Sequence, residues 1–135
     1  MKIREQRGMA AIEFAIVLPV LVSLIFGSIE FSLLLYNQQI ITNASREGAR
    51  FGILMDTPRK SEDQIRATVE NYCAGLLVTF GADPDIPPSV EMIGAEGSFG
   101  EDLTVRVTYN YGFLYLSNLG FSPKDLVAQT VMKME

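Results

Sequence analysis

The 135-residue chain has no histidine and a single cysteine, Cys73. A lone cysteine cannot form an internal disulfide bond, so the fold is not expected to depend on an oxidising compartment. Without histidine or a cysteine pair, the ligand sets that usually hold zinc and other transition metals are missing. The sequence therefore predicts no metal or other cofactor.

Basic side chains are scarce as well. The 11 lysines and arginines stand against 16 aspartates and glutamates, which gives a net charge of −5. Lys2, Arg4 and Arg7 all lie within the first eight positions, beside Glu5, so the rest of the chain is more acidic still. An acidic surface cannot neutralise phosphates, and nucleic acid is therefore not an expected partner.

Catalytic and calcium-binding signatures are missing too. The chain has no nucleophile paired with a base, no phosphate-binding glycine loop and no carboxylate pair at a useful spacing, so we do not expect an enzyme. Five acids lie in or beside predicted loops, but their spacing differs from that of an EF-hand loop, which favours solvated side chains over a calcium site. These acids are Asp83, Asp85, Glu96, Glu101 and Asp102.

The main positive feature is an uncharged apolar run from Phe14 to Ile29 that resumes after Glu30 and extends to Tyr36. A helix over Ile12–Tyr36 would be roughly 37 Å long, enough to cross a hydrocarbon core of about 30 Å. A buried core helix is the alternative, but little chain remains to surround it. A cleaved secretory signal fits less well, because the run is long and no small-x-small site closes it.

Two glutamates, Glu13 and Glu30, flank this run, roughly 25 Å apart along a helix. Glu30 can be explained as an interfacial residue that reaches toward lipid headgroups. Glu13 needs a partner, because a charge in a membrane segment costs about 2.5–3.5 kcal/mol even on the permissive insertion scale. Cleavage after Gly8 would make Met9 the first residue, and its protonated α-amine could pair with Glu13 within one helix or between neighbouring subunits.

The basic leader, Gly8 and the stretch MAAIEFA look like the processing site of type IV pilins and pseudopilins. Three further stretches, EFAIVLPVL, GSIEF and TNASREGAR, resemble the TadE-like proteins, which are minor pseudopilins of the Tad (Flp, tight adherence) pilus system. These stretches cover about a third of the chain. The rest fits the family only by its length and by β-rich segments near the end.

The resemblance implies cleavage after Gly8 by an aspartic prepilin peptidase that reads Gly8, Met9, Glu13 and Phe14. It implies assembly roles for Glu13 and Glu30, and N-methylation of Met9, although Met9 departs from the small residue that is common at this position. The implied partners are the peptidase, other pilins and pseudopilins of the Tad system, the inner-membrane assembly platform and the lipid bilayer.

The charge pattern predicts the topology. Basic residues precede the apolar run and acidic or neutral ones follow, so the N-terminus is expected in the cytoplasm and the body outside it. In a two-membrane bacterium the body would lie in the periplasm after a single pass through the inner membrane, and in a single-membrane host it would lie outside the cell. We expect a leader over 1–8, a transmembrane helix over 9–36, a helical extension over 37–57 and an exported domain over 58–135.

The helical extension carries an apolar stripe and an opposite charged face of Arg46, Glu47 and Arg50. The stripe needs either a partner helix or the chain's own domain to cover it. Its members are Ile40, Ile41, Ala44, Gly48 and Phe51.

The exported part begins with a second helix. Ser61 and Gln64 form a predicted capping box, and apolar residues then recur at steps of three and four as far as Phe80, which predicts a helix over Ser61–Phe80 closed by Gly81. Cys73 lies on the apolar face of this helix, which favours a packed core residue over a reactive thiol.

Alternating apolar and polar residues predict strands over Val90–Ile93, Leu103–Tyr109 and Leu126–Met134. The apolar face of the middle strand is expected to pack on the Ser61 helix, and Thr104, Arg106 and Thr108 to face water or another subunit. The predicted fold class is α+β: a long N-terminal helix with a transmembrane and an amphipathic half, a second helix and a small antiparallel sheet.

Three functions fit this architecture. The first is a minor pseudopilin that joins, primes or caps a pilus. The second is a major pilin, although the major subunits of Tad pili are typically much shorter. The third is a permanently anchored single-pass module that binds a partner without entering a filament. The mature N-terminus separates the first from the third.

Overall fold

The computed structural model describes the backbone of residues 2–55, 58–80 and 86–134, and side chains from residue 8 onward within those ranges. Two helices and a three-stranded antiparallel sheet form an α+β fold, as predicted. The elements are α1 (Lys2–Gly52), α2 (Glu62–Cys73), β1 (Ser89–Ile93), β2 (Asp102–Tyr111), a short 3₁₀ helix (Leu116–Leu119) and β3 (Lys124–Lys133).

Helix α1 is one continuous helix of 51 residues with Pro19 inside it. Its side chains from Gly8 to Leu21 are exposed on every side, whereas those of its second half pack against the sheet and α2. Ile41 and Ala44 are fully buried there. The predicted apolar stripe is therefore covered by the chain's own domain, and the charged face opposite it is exposed.

Helix α2 begins as predicted and ends earlier. The hydroxyl of Ser61 accepts a hydrogen bond from the Gln64 amide at 3.4 Å, and the Gln64 side chain accepts one from the Ser61 amide at 3.0 Å, which completes the capping box. The helix stops at Cys73, so the predicted continuation to Phe80 is wrong. Gly75 adopts φ +73°, a left-handed conformation that interrupts the helix.

In the sheet, β2 lies between β1 and β3 and pairs antiparallel with both. Each strand occurs where the alternation predicts it, with bounds that differ by at most two residues. The inward side chains of β2 are buried, as predicted. The sheet packs mainly on α1, however, so the prediction that it packs on α2 is wrong. The reason is geometric: the second half of α1 is long enough to cover the sheet, whereas α2 lies beside α1.

Helices α1 and α2 approach closely at Gly48. A Cβ atom added there would lie 2.5 Å from Cγ2 of Val69, which is fully buried. Valine has little rotamer freedom to move away, so only glycine fits at this contact. The small residue of the predicted stripe is thus what lets the two helices share one core.

We expect Gly48→Ala to lower the free energy of unfolding by about 1–3 kcal/mol, the usual cost of overpacking a core. Thermal unfolding of the detergent-solubilised protein, followed by far-ultraviolet circular dichroism, measures the effect. Gly27→Ala on the same helix is the matched control, because a Cβ there meets nothing within 4 Å. Equal unfolding temperatures for the two variants would contradict the close approach.

Candidate functional site

Glu30 lies on the apolar helix α1 but is only 2% exposed. One carboxylate oxygen accepts hydrogen bonds from the Tyr111 hydroxyl at 3.2 Å and from the Leu114 amide at 2.7 Å. The other oxygen accepts from the amides of Tyr115 at 2.7 Å and Leu116 at 3.3 Å. Hydrogen bonds to a charged group contribute about 1.5–3 kcal/mol each, so Glu30 is a strong link between α1 and the segment after β2.

The amides that Glu30 binds have a common origin. They precede or begin the 3₁₀ helix Leu116–Leu119, and the first amides of a helix have no partner within it. A carboxylate from another element therefore acts as the cap, in the place where a local serine or aspartate would usually stand. Gly120, at φ 87°, ends this helix and turns the chain toward β3.

A second set of contacts holds the same segment on α1, one to two turns before Glu30. The Tyr115 ring stacks on Phe26 with ring centroids 5.4 Å apart. The Tyr115 hydroxyl forms a 2.9 Å hydrogen bond with the hydroxyl of Ser23. The domain thus holds α1 from Ser23 onward, well inside the stretch that the sequence assigns to the membrane span.

Asn37, two turns after Glu30, is fully buried and fixes the chain that follows α2. Its amide group donates to the Val78 carbonyl at 2.6 Å and accepts from the Val78 amide at 2.9 Å. The neighbouring Thr79 hydroxyl accepts from the Gly112 amide at 2.9 Å. Asn37 therefore positions the chain that follows α2, and Glu30 positions the segment that follows β2.

Sequence reasoning missed Asn37 and the partners of Glu30. One signal was present: Glu30, Asn37 and Ala44 recur every seven residues and so share one face of the helix. Polar residues on a face that otherwise becomes the core indicate buried hydrogen bonding. The interpretation of Glu30 as a headgroup-facing residue does not match its burial, and its assembly role remains a prediction.

Two buried side chains, Tyr111 beside Glu30 and Cys73 at the end of α2, have raised pKa values. Burial, together with the carboxylate charge of Glu30, raises the pKa of Tyr111 to about 12, so its hydroxyl remains a donor at neutral pH. Burial raises the pKa of the Cys73 thiol to about 11. Because a thiol must ionise to react readily, and Cys73 is buried in the core, the packed-core interpretation of this residue is confirmed.

The predicted processing residues lie together on the part of α1 from Gly8 to Leu21, which the domain does not cover and which is called the uncovered end below. Gly8, Met9, Glu13 and Phe14 are all exposed. Within the described part of the chain, Glu13 forms no hydrogen bond or ion pair. The structure does not bring Glu13 and Glu30 together, since they are 17 positions apart on one continuous helix.

Two of the loop acids, Glu96 and Glu101, lie in the connection between β1 and β2, whereas Asp102 is the first residue of β2. Glu101 accepts a hydrogen bond from the Ser98 amide at 2.6 Å, and Glu96 adopts a left-handed φ of 61°. No cluster of three potential metal ligands occurs among residues 8–55, 58–80 and 86–134. Asp83 and Asp85 lie outside the described residues.

These features define a class: a single-pass membrane-anchored protein whose α+β domain is built on the far half of its anchor helix. The residues from Gly8 to Gly52 form one helix that is long and apolar enough to cross a membrane, and its most apolar window is not covered by the rest of the chain. This helix indicates single-pass membrane anchoring.

Residues 8–50 match the family model of the TadE-like proteins, which confirms the resemblance carried by the anchor and its extension. The match covers the whole of the uncovered helix, Glu30 and Asn37, and ends near the end of α1. It indicates a structural component associated with the Tad pilus. No curated protein and no solved structure matches the chain.

Proposed function

We propose that this protein is a minor pseudopilin, trimmed after Gly8 by a prepilin peptidase and then active in assembling, priming or capping a Tad pilus. The observation that carries the proposal is the contrast between two glutamates on one apolar helix. Glu30 is satisfied by four donors of its own chain, whereas Glu13 is exposed on the uncovered end.

An exposed carboxylate on an apolar helix has a cost in lipid and requires a partner. The nearest new charge is the α-amine that cleavage would create on Met9, four residues before Glu13 in the sequence. Residues at this spacing are neighbours on a helix. In a filament the same amine could instead meet Glu13 of an adjacent subunit and fix the axial position of the two subunits.

The uncovered end of α1 suits both steps. Gly8 is exposed, and a Cβ added to it meets nothing within 4 Å, so the folded domain does not obstruct a peptidase there. Exposed apolar side chains then continue on all sides of the helix through Leu21. Such a surface suits lipid before assembly and the helices of other pilins afterwards, with the inner-membrane platform as the site of transfer.

The intact mass of the purified protein tests this proposal. We expect the form from a host with prepilin peptidase to lack residues 1–8, and the form from a peptidase-deficient host to retain them. A chain that keeps its leader in both hosts would instead be a permanently anchored binding module. This outcome would overturn the pseudopilin function and leave the anchoring intact.

Gly8→Ala and Gly8→Leu should abolish this mass change, because the peptidase reads the residue before the cleaved bond. Neither variant meets a steric obstacle in the folded chain, so failed processing would report on recognition rather than on misfolding. Gly27→Ala, equally unobstructed and on the same helix, is the control and should be trimmed normally. Complete trimming of both Gly8 variants would place the cleavage site elsewhere.

A further inference from the structure

The segment between β2 and β3 is apolar and carries no charge. Residues 112–123 read GFLYLSNLGFSP. Leu119 is 58% exposed and Phe121 57% exposed, and Leu114 is exposed beside them. Single exposed apolar residues are normal on a protein surface, but three of them on one uncharged stretch indicate a surface that contacts something other than water.

This segment lies at the level of the membrane anchor. Its contacts on α1 are with Ser23, Phe26 and Glu30, all of which fall inside the predicted span. On the remaining faces of that part of α1, Leu24 and Phe31 are also exposed. The exposed apolar side chains of the loop therefore lie at the same level along the helix axis as the exposed apolar side chains of α1 beside them.

Many backbone amides of the segment have hydrogen-bond partners within the protein, as a segment in contact with lipid requires. In lipid, an irregular segment is tolerated only where its amides find partners within the protein. Glu30 accepts from three consecutive amides, and the Thr79 hydroxyl accepts from the Gly112 amide. Three further amides donate to carbonyl groups within the segment. The satisfied amides are those of Gly112, Leu114, Tyr115, Leu116, Asn118, Gly120 and Phe121.

We propose that residues 112–121 form a second membrane-contacting element, which inserts beside α1 into the boundary between headgroups and acyl chains of the phospholipid bilayer. Glu30 fastens this element to the anchor and supplies the acceptors that water would otherwise provide. The exported domain then rests on the bilayer surface in a fixed orientation. This inference rests on the single-pass anchoring in the proposed function.

Tryptophan fluorescence tests the insertion directly, because the chain contains no tryptophan of its own. Full-length Phe121→Trp and Leu119→Trp would be reconstituted in phosphatidylcholine–phosphatidylglycerol vesicles, with and without lipid brominated at the upper acyl chain. An interfacial segment lies about 5–10 Å into this boundary, so we expect brominated lipid to reduce the emission of both variants about twofold.

Two further positions make the result decisive. Ile16→Trp, on the uncovered part of α1, reports on the anchor itself and should be quenched. Phe99→Trp, 77% exposed in the β1–β2 connection at the opposite end of β2, should be unaffected. Quenching of Ile16→Trp without quenching of the two loop variants would overturn the loop insertion alone. Absence of quenching at Ile16→Trp would overturn the anchoring as well.

A protein partner on the same surface gives a different signature. Blue-shifted emission from Phe121→Trp and Leu119→Trp that brominated lipid leaves unchanged would mean that another polypeptide covers the loop. That outcome contradicts the lipid contact proposed for residues 112–121.

Discussion

Replacing Glu13 with alanine should leave cleavage after Gly8 nearly unchanged but reduce entry of the trimmed protein into pili about a hundredfold or more. The variant would leave the α-amine of Met9 charged on an apolar helix without its carboxylate. Removing one partner of a buried ion pair costs about 3–5 kcal/mol, and each 1.4 kcal/mol corresponds to about a factor of ten in an equilibrium constant. Immunoblots of sheared pili and of membranes, compared at equal expression, measure the partition.

Ile12→Ala is the matched control for Glu13→Ala. Ile12 is exposed on the same uncovered stretch, so this variant shortens a neighbouring side chain without removing a charge. It should enter pili nearly as well as the unaltered protein. Normal entry of the Glu13→Ala protein would show that the amine–carboxylate pair does not drive assembly, even if trimming after Gly8 occurs.

Replacing Glu30 with alanine should lower the free energy of unfolding by about 3–5 kcal/mol, because each buried donor that loses its acceptor costs about 1–3 kcal/mol and several donors are affected together. The change would remove the acceptor of four hydrogen bonds and leave three backbone amides and the Tyr111 hydroxyl unsatisfied. Thermal unfolding in detergent, followed by circular dichroism, gives the comparison. Trimming should persist, because Gly8 lies far along the helix.

Two variants distinguish the loss of the hydrogen bonds to Glu30 from a general effect of removing a charge. Glu47→Ala removes an exposed carboxylate from the same helix and should change stability by less than about 0.5 kcal/mol. Tyr111→Phe removes a single donor and should cost about 1 kcal/mol. If Glu30→Ala unfolded at the same temperature as Glu47→Ala, the buried carboxylate would not be holding the segment.

Much of the fold could be predicted because its signals are local. The capping box at Ser61, the apolar run of α1 and the alternation along β2 are each visible within a few residues. The end of α2 was missed for the opposite reason. Leu76 and Leu77 continue the helical spacing, but the Val78 backbone pairs with Asn37, 41 residues earlier, and this tertiary contact outweighs local preference.

The site divides in the same way. Glu13 stood out from sequence because a charge in an apolar run is unusual whatever surrounds it. The partners of Glu30 lie 81 to 86 residues further along the chain, so no local pattern could identify them. The packing of the sheet on α1 rather than on α2 could not be predicted, because the spacing of apolar residues shows which face of a helix is buried but not which element covers it.

The continuity of α1 from the uncovered end to the clamped half has a directional consequence. At about 100° of rotation per residue, a helix turns Glu13 about 100° away from the side on which Glu30 faces the domain. Glu30, Asn37 and the core prevent the domain from rotating about the axis of α1. The domain therefore fixes the direction in which Glu13 extends from that axis. A neighbouring subunit that binds Glu13 would therefore meet the domain at one fixed axial position and one fixed rotation about the helix axis.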